Sequence, residues 1–138
     1  MRSTLFILLL IICNVCIGQK NGTMKSNNLN GTWVPIKQEM GGKPFPAAVF
    51  EKQTLTIDDS LYTVVAESTD KGVVHQNGDK MDIYGKEGVN AGKHFTALVK
   101  YENDQLTICY NLAGDSYPDS FDTSGKPLYF LSVFKKQK

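Results

Sequence analysis

The chain has 138 residues, of which 41% are hydrophobic, 10% aromatic and 21% charged, with a formal net charge of +1. Length sets a single domain plus at most a processing segment; the aromatic content excludes disorder for the bulk of the chain, and a single long apolar run excludes a polytopic membrane protein. Arg2 is the only arginine among 15 basic residues, opposed by 14 acidic ones, so the phosphate-binding excess expected of a nucleic-acid partner is missing.

Residues 1–18 read as a secretory signal peptide. Arg2 supplies the positive n-region and Leu5 to Cys13 an unbroken apolar run. The run is too short to span a bilayer, which takes about 20 apolar residues. Cys16 and Gly18 are small residues suited to cleavage before Gln19. Cleavage there implies a secreted or periplasmic protein. A lipoprotein acylated on Cys13 or Cys16 is the rival reading, disfavoured because Ile12 or Val15 would precede the cysteine. Residues 19–28 are polar and aperiodic, a flexible lead-in. The domain proper is expected over 29–138. Two triplets, at Asn21 and Asn30, match the glycosylation pattern, which has meaning only in a eukaryotic secretory pathway.

From residue 29 the chain alternates short β-branched and aromatic runs with turn signals. The first strand is expected over 31–38, with Trp33 near its start and Pro35 marking a bulge or an edge. Residues 41–44 form a turn. Residues 46–52 carry one helical turn, with Pro46 at its start, where a missing N–H costs nothing. Strands follow over 54–57 and 61–66. A turn is placed at Asp70-Lys71-Gly72, then a strand over 73–76. Asn77-Gly78 is a hairpin signal, leading into 80–84. Residues 85–93 read as a glycine-rich loop. Strands over 94–101 and 105–111 come next, then a long polar loop over 112–126 and a last strand over 128–134.

Eight strands joined mostly by tight turns make an antiparallel meander. Closure removes the two edges such a sheet would otherwise expose. The expected fold is therefore all-β: an eight-stranded lipocalin-like barrel with one short helical turn. Phe95, Ala97, Val99 and Tyr101 share one face, as do Leu106, Ile108 and Tyr110. Eight strands enclose room for side chains or one small ligand. Cys109, the only cysteine after residue 18, falls in a strand pattern and reads as a buried, inert thiol.

Gly31-Thr32-Trp33 on the first strand resembles the Gly-x-Trp signature of the lipocalins. In that family the tryptophan sits at the closed end of the barrel and an arginine of the last strand packs on it. Lys135 is the nearest substitute here. Over 29–135 the chain is also similar to a small uncharacterised lipocalin-like domain family first catalogued in planctomycete genomes. The residues carrying that resemblance include Leu29 to Trp33, Gly41 to Pro46, Leu55 to Asp58, Leu61 to Thr63, Met81 to Ile83, Asn90 to Lys93, Lys100 to Glu102, Leu106 to Tyr110 and Ser132 to Lys135. An Arg-Pro pair usual in that family before the last strand is Tyr117-Pro118 here. The resemblance implies a fold and no established activity.

Chemical motifs are few. His75 and His94 are the only histidines and lack metal-ligand spacing, so they are read as surface or strand-end residues. Asp58, Asp59, Asp79, Asp82, Asp115, Asp119 and Asp122 lie in or beside turns, where Asp caps its own backbone. The 85–93 loop lacks the Lys-Ser/Thr ending of a phosphate loop, and no Gly-x-Ser-x-Gly elbow occurs. No catalytic residue, metal or cofactor is expected. The first reading is binding of a small apolar or amphipathic molecule in the barrel mouth, the second a protein-interaction module such as a bacterial inhibitor or immunity protein, with a cell-envelope enzyme ranked last. A monomer that does not span the membrane is expected in either case. Tyr117, Phe121 and Asp119 of the long loop are the candidate ligand- or partner-binding residues, expected at the mouth. Gly31 and Trp33 are the expected structural residues.

Overall fold

The computed structural model describes residues 29–138. The expected signal peptide and lead-in lie outside the described residues. Nine strands and one short helix follow in chain order: β1 (Gly31–Met40), β2 (Lys43–Pro44), α1 (Ala47–Phe50), β3 (Thr54–Asp58), β4 (Leu61–Val65), β5 (Thr69–Asn77), β6 (Lys80–Glu87), β7 (His94–Glu102), β8 (Gln105–Asn111) and β9 (Tyr129–Lys136). All pairings are antiparallel: β1 pairs with both β2 and β3, from β3 to β9 each strand pairs with the next, and β1 also pairs with β9. That pairing closes eight strands into a barrel; β2 is a two-residue spur on the end of β1. The expected architecture is therefore the one observed.

Pro35 does mark a bulge. The register between β1 and β9 shifts between Pro35 and Lys37, which leaves Ile36 without a partner and exposed. A proline cannot donate to the ladder, so a bulge is where it fits.

One turn was misplaced. Asp70, Lys71 and Gly72 lie inside β5, and the chain reverses at 66–68, where Ala66 N–H donates to Ser68 O at 2.9 Å. Asp70 and Gly72 both face inward, and neither looks like a core residue, so the alternation that identifies a strand is erased there. Similarly, β6 runs on to Glu87, deeper into the glycine-rich segment than its composition suggests.

The core is the barrel interior. Trp33, Leu55, Ile57, Met81, Ile83, Ala97, Val99, Leu106, Ile108 and Phe134 pack there. Trp33 is wholly buried at the start of β1, where its indole N–H donates to Leu29 O at 2.8 Å and Tyr101 meets it edge-on. Together Leu29 and Trp33 close that end of the barrel. Lys136, one residue beyond the expected Lys135, lies over the indole, its Nζ 5.4 Å from the ring centre. Gly31 makes this possible: a Cβ there would stand 2.6 Å from Lys136 Cε, and its φ of +131° suits glycine.

A second layer was not foreseen. The outward face of β7 and β8 is also buried, at Thr96, Leu98, Thr107, Cys109 and Asn111. The long loop after β8 crosses that face. Ser116 O accepts from both Thr96 Oγ1 (2.6 Å) and Asn111 Nδ2 (2.9 Å), and Thr123 Oγ1 donates to Glu39 Oε1 (3.0 Å). Cys109 is sealed beneath it, and burial pushes its thiol up to about 11.

Candidate functional site

The strand ends opposite Trp33 enclose a cavity of 190 Å³. Its walls are apolar: Leu55, Ile57, Val64, Val74, Met81, Ile83, Phe95, Ile108, Leu112 and Phe130. An apolar cavity of about 150 Å³ can take a benzene ring. The space suits a small molecule, below the roughly 300–1,000 Å³ of drug-sized pockets. A smaller cavity of 70 Å³ lies beyond Tyr110 and Phe130 and reaches Gln38 and Gln53.

Four polar residues break the apolar lining: Tyr62, Asp70, Asn90 and Tyr110. Each is placed by its strand register. Tyr62 on β4 pairs with Gly72 on β5, and Val64 pairs with Asp70, so Tyr62 and Asp70 are diagonal neighbours on the inner face. Gly72 supplies the room. A Cβ there would come within 2.6 Å of Tyr62 Cε1 and 2.1 Å of Tyr84 O. Tyr110 faces inward beside Phe130, ring centres 5.7 Å apart.

Asp70 is buried to 7% exposure. Its Oδ1 accepts the Asn90 backbone N–H at 3.1 Å. The segment carrying Asn90 folds against it because Gly88, at φ +91°, lets the backbone approach; a Cβ there would stand 2.4 Å from Asp70 Oδ1. Among the described residues no cation pairs with Asp70, and neither Tyr62 nor Tyr110 hydroxyl has a protein hydrogen-bond partner. Burial, then the negative charge of Asp70, pushes the Tyr62 phenol up. Burial pushes the Tyr110 phenol up further. Both therefore stay protonated at neutral pH and can donate a hydrogen bond. The lining contains no histidine, lysine or thiol.

The candidate residues read from the sequence lie elsewhere. Tyr117, Phe121 and Asp119 do not line the cavity; they ride on the loop across the outside of the barrel. Tyr117 donates a short hydrogen bond to Asp82 Oδ2 and lies under Lys80, whose Nζ is 5.4 Å from the ring centre. Phe121 lies under Lys100 Nζ at 4.7 Å. Asp119 pairs with Lys126 at 3.0 Å, with its side chain 81% exposed. The expectation that these aromatics stand at the mouth is corrected: the loop turns down over the outward face of β7 and β8 because Thr96 and Asn111 there offer polar partners.

That outer face holds a second arrangement. His94 Nε2 lies 2.7 Å from Asp82 Oδ1, and Tyr84 stacks on His94 with ring centres 4.5 Å apart. His75 meets the other edge of Tyr84 at 5.8 Å. Burial raises the Asp82 carboxyl, but the hydrogen bonds from Tyr117 and His94 and the nearness of both imidazoles outweigh it and hold it below the ordinary range. Tyr117 is raised in turn, first by its bond to Asp82.

Of the cavity's polar groups, Tyr110 was legible as inward-facing from alternation. Asp70 was missed because it was assigned to a turn, and Tyr62 because nothing local distinguishes a lining tyrosine from a core one. No family model, curated protein or solved structure matches this chain.

Proposed function

We propose that the protein is an exported binder of a small amphipathic molecule held in the open end of the barrel. The observation that carries this reading is an apolar cavity bearing two phenol donors without protein partners and a carboxylate held by a single backbone N–H. A core built only for stability fills such space and pairs such groups. The likeness to lipocalin-like domains in Gly31-Thr32-Trp33 and the eight-strand meander supports the same reading. Export rests on residues 1–18. A binding role is preferred to a catalytic one because no histidine, lysine or thiol lines the cavity.

A second reading puts a protein partner on the outer loop. Tyr117 favours it: the ring is 37% exposed yet anchored to Asp82, and rigid exposed aromatics make good interface anchors.

Native mass spectrometry of protein purified from the cells that make it tests both. A small-molecule adduct lost on denaturation is the expected result. A stoichiometric second protein and no adduct would favour the outer loop. The same sample reports export, since the mass should correspond to a chain beginning at Gln19 without a lipid increment.

A further inference from the structure

We infer that the ligand is a primary amine with a compact apolar body, bound as its ammonium ion with the charge on Asp70. This deepens the binding role proposed above and rests on it.

Asp70 carries the argument. A carboxylate taken out of water is costly unless a cation or several hydrogen bonds compensate it. Here the compensation within the described residues is one backbone N–H, from Asn90 to Oδ1. Among the described residues Oδ2 has no protein donor, although 12 of the chain's 14 lysines lie there and the nearby loop carries Lys93. Lys93 instead lies 3.5 Å from the Asn90 side-chain oxygen. The fold thus brings a carboxylate into an apolar chamber and keeps its own cations away from it.

The surroundings define the rest of the ligand. An ammonium group has three donors and needs three acceptors. Asp70 provides one, and Tyr62 and Tyr110, whose hydroxyls can accept, line the same chamber. Phe95, Phe130, Tyr62 and Tyr110 give aromatic faces, which attract a desolvated cation. Apart from Asn90 the remaining walls are aliphatic and would take an unbranched or aromatic body. A ligand carboxylate would be repelled by Asp70, and a neutral hydrocarbon would leave it without a partner.

Gly88 and Gly72 show that this arrangement is built into the backbone. The first lets the chain approach Asp70 and the second makes room for the Tyr62 ring.

The test is calorimetric titration with three probes of one shape: 2-phenylethylamine, 2-phenylethanol and ethylbenzene. The wild-type protein should bind the amine at least tenfold more tightly than either neutral probe. Asp70→Asn keeps the side-chain oxygen that accepts from Asn90 and removes the charge. It should retain ethylbenzene binding and abolish the preference for the amine. Equal binding of all three probes by the wild type would overturn the amine assignment while leaving the cavity a binding site. A preference that survives Asp70→Asn would overturn the role of Asp70. Failure of every probe, ethylbenzene included, would overturn the binding reading together with this one. Circular dichroism of Asp70→Asn establishes that the variant is folded, and Tyr62→Phe, which leaves the carboxylate in place, gives a second variant. It should weaken amine binding severalfold without affecting ethylbenzene.

Discussion

Tyr117 and Asp82 lie 35 residues apart in the chain and meet through a single hydrogen bond on the outside of the barrel. Asp82 also takes His94 on its other oxygen. One carboxylate on β6 thus fastens the loop that follows β8 and steadies the first residue of β7. The bond explains why a loop with so many polar residues is ordered: it is held at Asp82, at Thr96 and at Glu39 in turn.

Removing that clasp should loosen the loop more than it disturbs the barrel. Tyr117→Phe is expected to cost about 0.5–1 kcal/mol, since the bond is charge-assisted but partly screened by solvent. The cost should depend on pH. Asp82 is held below its ordinary range, so its contribution is present above the carboxylate range and is lost as pH falls through the folded value. Tyr117 is raised, so its contribution is present below the phenol range and is lost as pH rises through its folded value. Urea midpoints of wild type and Tyr117→Phe should differ by a constant amount between about pH 5 and 9 and converge in acid. A difference that persists unchanged to about pH 2.5 would rule the clasp out.

Trp33→Ala should cost about 3–5 kcal/mol, because a fully buried indole leaves a cavity at the closed end and frees Leu29 O. The fluorescence of the wild type should be blue-shifted and protected from quenching by iodide. Lys136→Ala should have a far smaller effect, about 0.5–1 kcal/mol, for a surface cation over a ring. An equal effect of the two substitutions would mean that the lysine, not the packing of the indole, seals the end.

Gly72→Ala should destabilise by about 1–3 kcal/mol or more, as overpacking does. Its Cβ would meet both the Tyr62 ring and the Tyr84 carbonyl oxygen. Shrinking Tyr62 cannot relieve the clash with a backbone atom, so Tyr62→Ala should fail to rescue Gly72→Ala. Recovery of the melting temperature in the double variant would show that the ring is the sole obstacle.

Cys109 should be silent towards thiol reagents in the folded protein at pH 8. Its thiol is pushed to about 11 and lies beneath the outer loop. Reaction should follow global unfolding in urea, or local opening of the loop in Tyr117→Phe. Rapid labelling of the native wild type would mean that the loop does not cover β8.

The sequence by itself determined the eight strands of the barrel, their antiparallel order and the buried tryptophan. Those follow from local pattern: alternation over 94–101 and 105–111, hairpin turns such as Asn77-Gly78, and a proline that a strand takes at a bulge or an edge. It also determined that Tyr110 faces inward, because period-two alternation assigns a side to every residue of a strand. Tertiary structure alone decided the rest. The inward turn of Asp70 depends on Gly72 and Gly88 giving way to neighbours distant in sequence, and no local pattern predicts a carboxylate in an apolar chamber. The placement of Tyr117 and Phe121 on the barrel's outer side depends on partners at Asp82 and Lys100, Asp119 pairing only within the loop, and a loop's composition does not say which surface it will cover. Side-chain periodicity is a property of one strand, whereas a cavity is a property of eight strands closing together, and only closure brings Tyr62, Asp70 and Tyr110 around one space.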